Sequence, residues 1–214
     1  GVTPELHKGL LEAYYASISY MDAQVGRVLD ALEELGLAEN TIVVFTSDHG
    51  YLLGEHHKFQ KQHLFEEATR VPFIVSVPWM NKQHGKATKH ITELLDLYPT
   101  LADLSGLKSP KNLHGSSLVP LLKNPSTDEW TKGLAFTISR NGGESIRTHN
   151  WRFTQWGYGA KGMELYDRRN DPGEFTNLAK DPKYNKPLKK LKAQLESKRK
   201  EAGYSAKRFG GKRK

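Results

Sequence analysis

Apolar residues recur at Leu11, Tyr14, Ile18, Met21, Val25, Val28, Leu32 and Leu35, and these spacings of three and four predict one long amphipathic helix. Thr3 stands at the N-cap, Pro4 at the first helical position and Glu5 after it, and Gly36 is a natural stop. The stripe reads as a core-packing face. Thr41-Ile42-Val43-Val44-Phe45-Thr46 follows, a short β-branched run of the kind buried on both faces of a parallel sheet. A second such strand is predicted over residues 71–77, closed by Pro78. The stretch between them, 48–70, is polar and rich in Gly and His. Pro99 predicts a short helix over 100–105, ended by Gly106, and 114–122 reads as a turn and a short packed segment.

From Leu134 the period shortens. Residues 134–139, 144–148, 151–156 and 163–166 are four short strands with Gly or Asn between them, the pattern of an antiparallel meander. Residues 187–202 form a Lys-rich helix with Leu188, Leu191 and Leu195 on one face, and 203–214 read as disordered. The prediction is an α/β fold: the end of a mixed sheet with flanking helices over 1–130, a small antiparallel subdomain over 131–182, and a basic helix and tail over 183–214. A helix with no strand before it and two strands of parallel type make an incomplete α/β unit. An N-terminal portion is therefore expected to be missing. Without it the chain should expose a sheet edge and an apolar face and dissolve poorly.

The chain has 214 residues, enough for one sizeable domain and a small satellite. With no cysteine it holds no disulfide framework, zinc knuckle or thiol chemistry. No apolar run of membrane-spanning length exists. The net charge of +8 is uneven: 183–214 carry thirteen Lys and Arg against Glu196 and Glu201, a balance of +11, while the rest balances to −3. The body is mildly acidic, so the basic character belongs to the tail. A polycation can bind a sulfated polysaccharide by counterion release, although a solvated extension is the ordinary reading. A specific nucleic-acid role is not expected, since only Tyr204 and Phe209 interleave the tail cations.

Chemistry gathers at Ser47-Asp48-His49-Gly50. In open α/β sheets ligands sit beyond the carboxyl ends of strands, where Asp48 and His49 fall. A carboxylate beside an imidazole can hold one divalent cation, and Gly50 lets the chain turn away. A strand ending in Asp-His-Gly is equally an ordinary capped turn. His56, His57 and His63 follow closely, and Arg147, Arg152, Trp151 and Trp156 lie on the predicted meander. They could meet an anionic sugar. Packing histidines, a strand-to-strand salt bridge and core tryptophans are the plainer alternatives.

The stretch from Thr46-Ser47-Asp48-His49-Gly50 through Gly54-Glu55-His56, Lys61 and Phe65-Glu66-Glu67-Ala68-Thr69-Arg70-Val71-Pro72 resembles the C-terminal part of the catalytic domain of sulfatases, in the alkaline-phosphatase-like superfamily. The iduronate-2-sulfatase type and its bacterial relatives are the most similar. Tyr14-Tyr15-Ala16-Ser17-Ile18-Ser19-Tyr20-Met21-Asp22, Asp96-Leu97-Tyr98-Pro99-Thr100-Leu101, Gly115-Ser116-Ser117-Leu118 and Asp171-Pro172-Gly173-Glu174 extend the resemblance, in order, over roughly residues 10–180. It implies that Asp48 and His49 are one pair of ligands to a divalent metal, calcium in sulfatases, where most members have Asn at the second position. Imidazole suits zinc or manganese better than calcium, which keeps a phosphate-ester hydrolase of the superfamily open. It implies that Lys61 is catalytic and contacts the sulfate. His56, His57 and Arg147 are secondary candidates for substrate contact.

The family's nucleophile is a formylglycine made from Cys or Ser in C/S-x-P-x-R. That motif, the upstream Asp-Asp ligands and the upstream His acid are absent from this sequence. They are expected in the missing N-terminal segment, so the chain alone should be inactive. The resemblance implies a sulfated carbohydrate substrate and a secreted, periplasmic or lysosomal setting. A non-catalytic anion-binding remnant is the remaining alternative.

Overall fold

The computed structural model describes residues 2–203. They group into two units. The first runs to Lys61 and resumes over Arg70–His84; the second takes Gln62–Thr69 and the described chain from Gly85 onward. Residues 85–130, expected with the α/β part, group with the second unit. Among the described residues no helix is long and apolar enough to cross a membrane.

In the first unit, helix α1 (Pro4–Glu34) starts as its cap residues dictate, with the Leu6 N–H donating to Thr3 Oγ1 at 3.2 Å. It stops at Gly36, whose φ of +67° lets the Leu37 N–H reach back to the Leu32 carbonyl at 3.0 Å. The stripe expected to form a core does not. No residue of α1 is buried, and Ile18, Met21 and Val28 are exposed. The unit also holds two pairs of short strands, β1 (Val43–Thr46) with β4 (Phe73–Ser76) and β2 (Leu52–Leu53) with β3 (Phe59–Gln60).

β1 and β4 are antiparallel, Val43 opposite Ser76 and Thr46 opposite Phe73, which corrects the parallel pairing expected from their composition. Both strands are half-buried, with Ile74 exposed. A parallel pair needs a long crossover, usually a helix. Residues 47–72 carry instead the β2–β3 hairpin and the single-turn helix α2 (Glu66–Thr69), so the chain doubles back. The Thr46 hydroxyl closes the far end by donating to the Pro72 carbonyl at 2.8 Å.

In the second unit, α3 (Leu97–Leu104) and α4 (Val119–Lys123) are joined through the two motifs that bear the family resemblance. Buried Asp96 accepts from the Glu93 N–H at 2.8 Å, the Ser116 N–H at 2.9 Å and Lys132 Nζ at 2.6 Å. Thr100 donates its hydroxyl to the Asp96 carbonyl and accepts from the Leu118 N–H at 2.8 Å. Gly115 lies so close that a Cβ there would stand 1.9 Å from the Leu95 oxygen. The motifs are two halves of one staple.

The expected meander forms β5 (Leu134–Ile138), β6 (Gly143–Thr148), β7 (Trp151–Trp156) and β8 (Met163–Asp167), in sequential antiparallel order. Phe136, Ile146, Phe153 and Leu165 lie in one row across the four strands. Side chains alternate faces, so this row packs on Leu191 and Leu195 of α5 (Asn185–Glu201). Glu144 on the same face takes Arg199 of α5 at 3.1 Å. Ser145, Arg147, Arg152 and Thr154 point the other way. α5 is the helix predicted from its leucines; Gly203 follows it, and the rest of the stretch read as disordered lies outside the described residues.

Thr100→Val keeps the shape of the staple and orphans the buried Leu118 N–H. It is expected to lower unfolding stability by about 1–3 kcal/mol, read as a shift in urea midpoint at unchanged slope; an unshifted midpoint would show that the Thr100 hydroxyl contributes nothing.

Candidate active-site residues and the chain's relatives

Asp48 and His49 leave the end of β1 together. The Ser47 hydroxyl donates to the His49 carbonyl at 2.7 Å and shapes the turn. His49 Nδ1 lies 2.8 Å from the Gly50 carbonyl. A carbonyl only accepts, so Nδ1–H donates to it and Nε2 is the ring nitrogen left for another partner. Nε2 is 3.7 Å from Asp48 Oδ1, and the Asp48 side chain is 86% exposed. Two donors at that separation can both reach one cation at about 2.0–2.6 Å. The pair therefore fits half of a metal shell. Among the described residues no group of three or more His, Asp or Glu side chains completes one.

The β2–β3 hairpin comes next and ends at Lys61. Its turn is tight: the Gly54 N–H donates to the Lys58 carbonyl at 2.9 Å and the His57 N–H to the Gly54 carbonyl at 3.0 Å. His56 and His57 both adopt left-handed backbone, φ +51° and +57°, a cost that side chains other than Gly bear at a few special positions. His7, which the sequence pattern did not single out, holds the hairpin: its Nε2 is 2.9 Å from the Leu53 carbonyl and its ring meets Phe59 edge-on. Lys61 is exposed, one residue beyond β3. His63 belongs to the second unit and stacks on Phe65.

Arg147 and Arg152 also lie in the second unit, in an ion cluster inside the protein. Their strands set them directly opposite each other. The Glu66 carboxylate stands between, bonded to Arg152 Nη2 through one oxygen and to Arg147 and Arg168 at 3.3 and 3.1 Å through the other. Glu174 takes Arg152 Nε and Arg168 Nη1, both at 2.6 Å, and accepts the Glu66 N–H at 3.0 Å. Arg152 and Glu174 are each 1% exposed. Arg147, a secondary candidate for substrate contact, is thus committed to a carboxylate. Burial alone would raise the Glu66 carboxyl; the guanidiniums of Arg152, Arg147 and Arg168 outweigh it and hold the group below its ordinary value. Trp151 packs on the α5 core cluster and edge-on to Tyr184, and Trp156 donates to Glu164. Sequence reasoning missed Glu66 and Glu174 as partners of these arginines. The signal available was the salt bridge offered as the plainer role of Arg147 and Arg152, with nothing to say which acids would form it.

The family described as N-sulphoglucosamine sulphohydrolase, C-terminal, matches residues 54–201. The chain belongs to this sulfatase family. It is 37% identical over 88% of its length to a sulfatase of Formosa agariphila, covering 36% of that protein. It is 33% identical, again over 88%, to an N-acetylglucosamine-6-O-sulfatase of Bacteroides thetaiotaomicron, covering 35% of it. Among solved structures it superposes on a 2-O GAG sulfatase with a TM-score of 0.85 at 33% identity, covering 96% of this chain and 46% of that one. It superposes on the phosphonate monoester hydrolase of Agrobacterium radiobacter with a TM-score of 0.82 at 28% identity, covering 93% and 43%. The sulfatase chain thus spans about a third of the length of the curated relatives it matches. Its fold is the alkaline-phosphatase-like α/β fold of these enzymes.

Because the folded Glu66 carboxyl titrates below its ordinary value of 4.5, its contribution to stability is complete above that pH and is lost as pH falls toward the lowered value. Glu66→Gln is therefore expected to flatten the loss of stability between pH 5 and pH 3, measured as urea midpoints at the two pH values. Parallel curves for the variant and the parent would contradict the cluster's electrostatics.

Proposed function

We propose that the chain supplies the C-terminal part of a sulfatase that hydrolyses sulfate esters of a sulfated glycan. The observation that carries this reading is the pairing of Asp48 Oδ1 with His49 Nε2 at the end of β1, in a chain of the sulfatase family. These two groups would hold half the shell of a divalent cation, calcium by family expectation, with His49 in the place where the iduronate-2-sulfatase type also has His. Bound there, the cation would supply positive charge to the sulfate oxygens and the attacking group. Lys61 would add an ammonium that stabilises charge on the sulfate and leaving-group oxygens. His56 and His57, held in strained backbone between the metal pair and Lys61, are the nearest candidates in sequence for contacts to an anionic sugar. The formylglycine, the remaining ligands and the general acid fall to the N-terminal part for which the relatives' greater length leaves room. Names of relatives such as N-acetylglucosamine-6-O-sulfatase and 2-O GAG sulfatase support a sulfated sugar as substrate.

A second reading, a phosphate- or phosphonate-ester hydrolase, is favoured by the imidazole ligand and by the likeness to the phosphonate monoester hydrolase. The two separate when the complete enzyme is offered sulfated glycan oligosaccharides and matched sulfate and phosphate esters. Sulfate release is expected. Lys61→Ala should cut kcat/KM by about 100- to 1,000-fold, and Asp48→Asn should lower bound metal measured by mass spectrometry. Phosphate or phosphonate cleavage with inert sulfate esters would replace the first reading by the second. No hydrolysis of either class would leave an anion-binding remnant.

A further inference from the structure

We propose that the outer face of α5 is a docking surface for a sulfated polysaccharide chain, held by a row of lysine ammoniums. The choice of a sulfated glycan as the polyanion rests on the function proposed above; the row itself does not. α5 carries seven Lys and Arg against Glu196 and Glu201. Its leucines fix its orientation: Leu188, Leu191 and Leu195 pack into the core of the four-stranded sheet. At about 100° per residue, Lys186, Lys189, Lys190 and Lys200 fall within about 100° of one another on the opposite side of the helix. All four are exposed. The row spans about 21 Å from Lys186 to Lys200. Ala193 and Ser197 occupy its middle and are exposed as well, so nothing bulky stands between its ends.

The cations of α5 divide by what faces them. Arg199 takes Glu144 at 3.1 Å, and Lys198 takes Glu201 at 2.7 Å. Among the described residues no ion pair reaches the four outer lysines. Their placement does not help the helix. Lys186 stands three and four residues before Lys189 and Lys190, spacings at which like charges repel. Lys186 also lies in the first turn, where the helix dipole disfavours a cation, and no acid accompanies it there. A face that is only solvated is better served by mixed signs. A bound polyanion removes these repulsions and releases its own counterions. The character of the face selects among polyanions. Proteins that bind nucleic-acid strands interleave aromatic platforms with their cations. The outer face of α5 has none, and Tyr184, just before the helix, turns its ring to Trp151. A sulfated polysaccharide asks only for ammoniums at intervals along a clear track, which flexible lysines supply.

The test is titration of the complete enzyme with heparin at several salt concentrations, beside a variant combining Lys186→Gln, Lys189→Gln, Lys190→Gln and Lys200→Gln. The variant is expected to bind heparin about 100-fold more weakly at low salt, and the slope of log affinity against log salt should flatten by about 3. Its turnover of a small chromogenic aryl sulfate should match the parent's, and its thermal midpoint should not fall. A second variant with Arg at the four positions keeps the charge and should hold heparin within about 3-fold of the parent, which separates lost charge from a damaged helix. An unchanged heparin affinity in the Gln variant overturns the proposal. So does loss of all heparin binding on deletion of 204–214, since the site would then be the tail. Double-stranded DNA that binds as tightly as heparin at equal charge concentration overturns the choice of partner. Heparin binding through these lysines in an enzyme that cleaves no sulfate ester upholds the surface and overturns only the function proposed above.

Discussion

Two arginines, Arg147 and Arg152, sit opposite each other on adjacent strands, and the Glu66 carboxylate between them turns repulsion into attraction. Much of the second unit depends on that arrangement. Glu174 takes left-handed backbone, φ +59°, and meets both Arg152 and the start of the Glu66 turn. Arg168 brings a third guanidinium, so the cluster holds three cations and two anions. Removing one member of such a buried set strands the others away from water, which costs far more than the net gain of forming the set. The four-stranded sheet therefore needs a cover on each face. Leucines of α5 meet its apolar row, and the segment after Lys61 meets its charged face.

The acidic side chains fall into two kinds by their surroundings. Asp96, Glu66 and Glu174 are buried, and each accepts several N–H donors, which leaves them no capacity for a ligand. Asp48 is the reverse: exposed, with one oxygen near the His49 imidazole, whose Nδ1–H donates to a carbonyl. Only the second kind has lone pairs free to face an ion. The same distinction separates Arg147, bound to Glu66, from Lys61, which stands exposed beyond a short strand.

Patterns confined to neighbouring residues were legible. The Thr3 cap, the Gly36 stop, the four-strand meander and the leucine face of α5 each follow from a period or a capping rule and stand where those rules put them. The position of Asp48 and His49 just beyond β1 was legible because both residues directly follow one strand. The sense of the β1–β4 pairing was not. A β-branched run looks the same in either sense, and the choice came from the segment between the strands, which has no crossover helix. Nor was the exposure of α1 legible, because a stripe records what a helix can bury and not whether the chain supplies the partner.

The sequence by itself determined the local elements, the α/β character and the placement of Asp48 and His49 side by side at a strand end, since each depends on residues a few positions apart. Only the tertiary structure decided that Arg147 and Arg152 are neutralised by an acid more than eighty residues away, and that the chain after Lys61 is the piece that carries it. Charge pairing acts through space at a few ångströms, and no period along the chain encodes which distant carboxylate will arrive there.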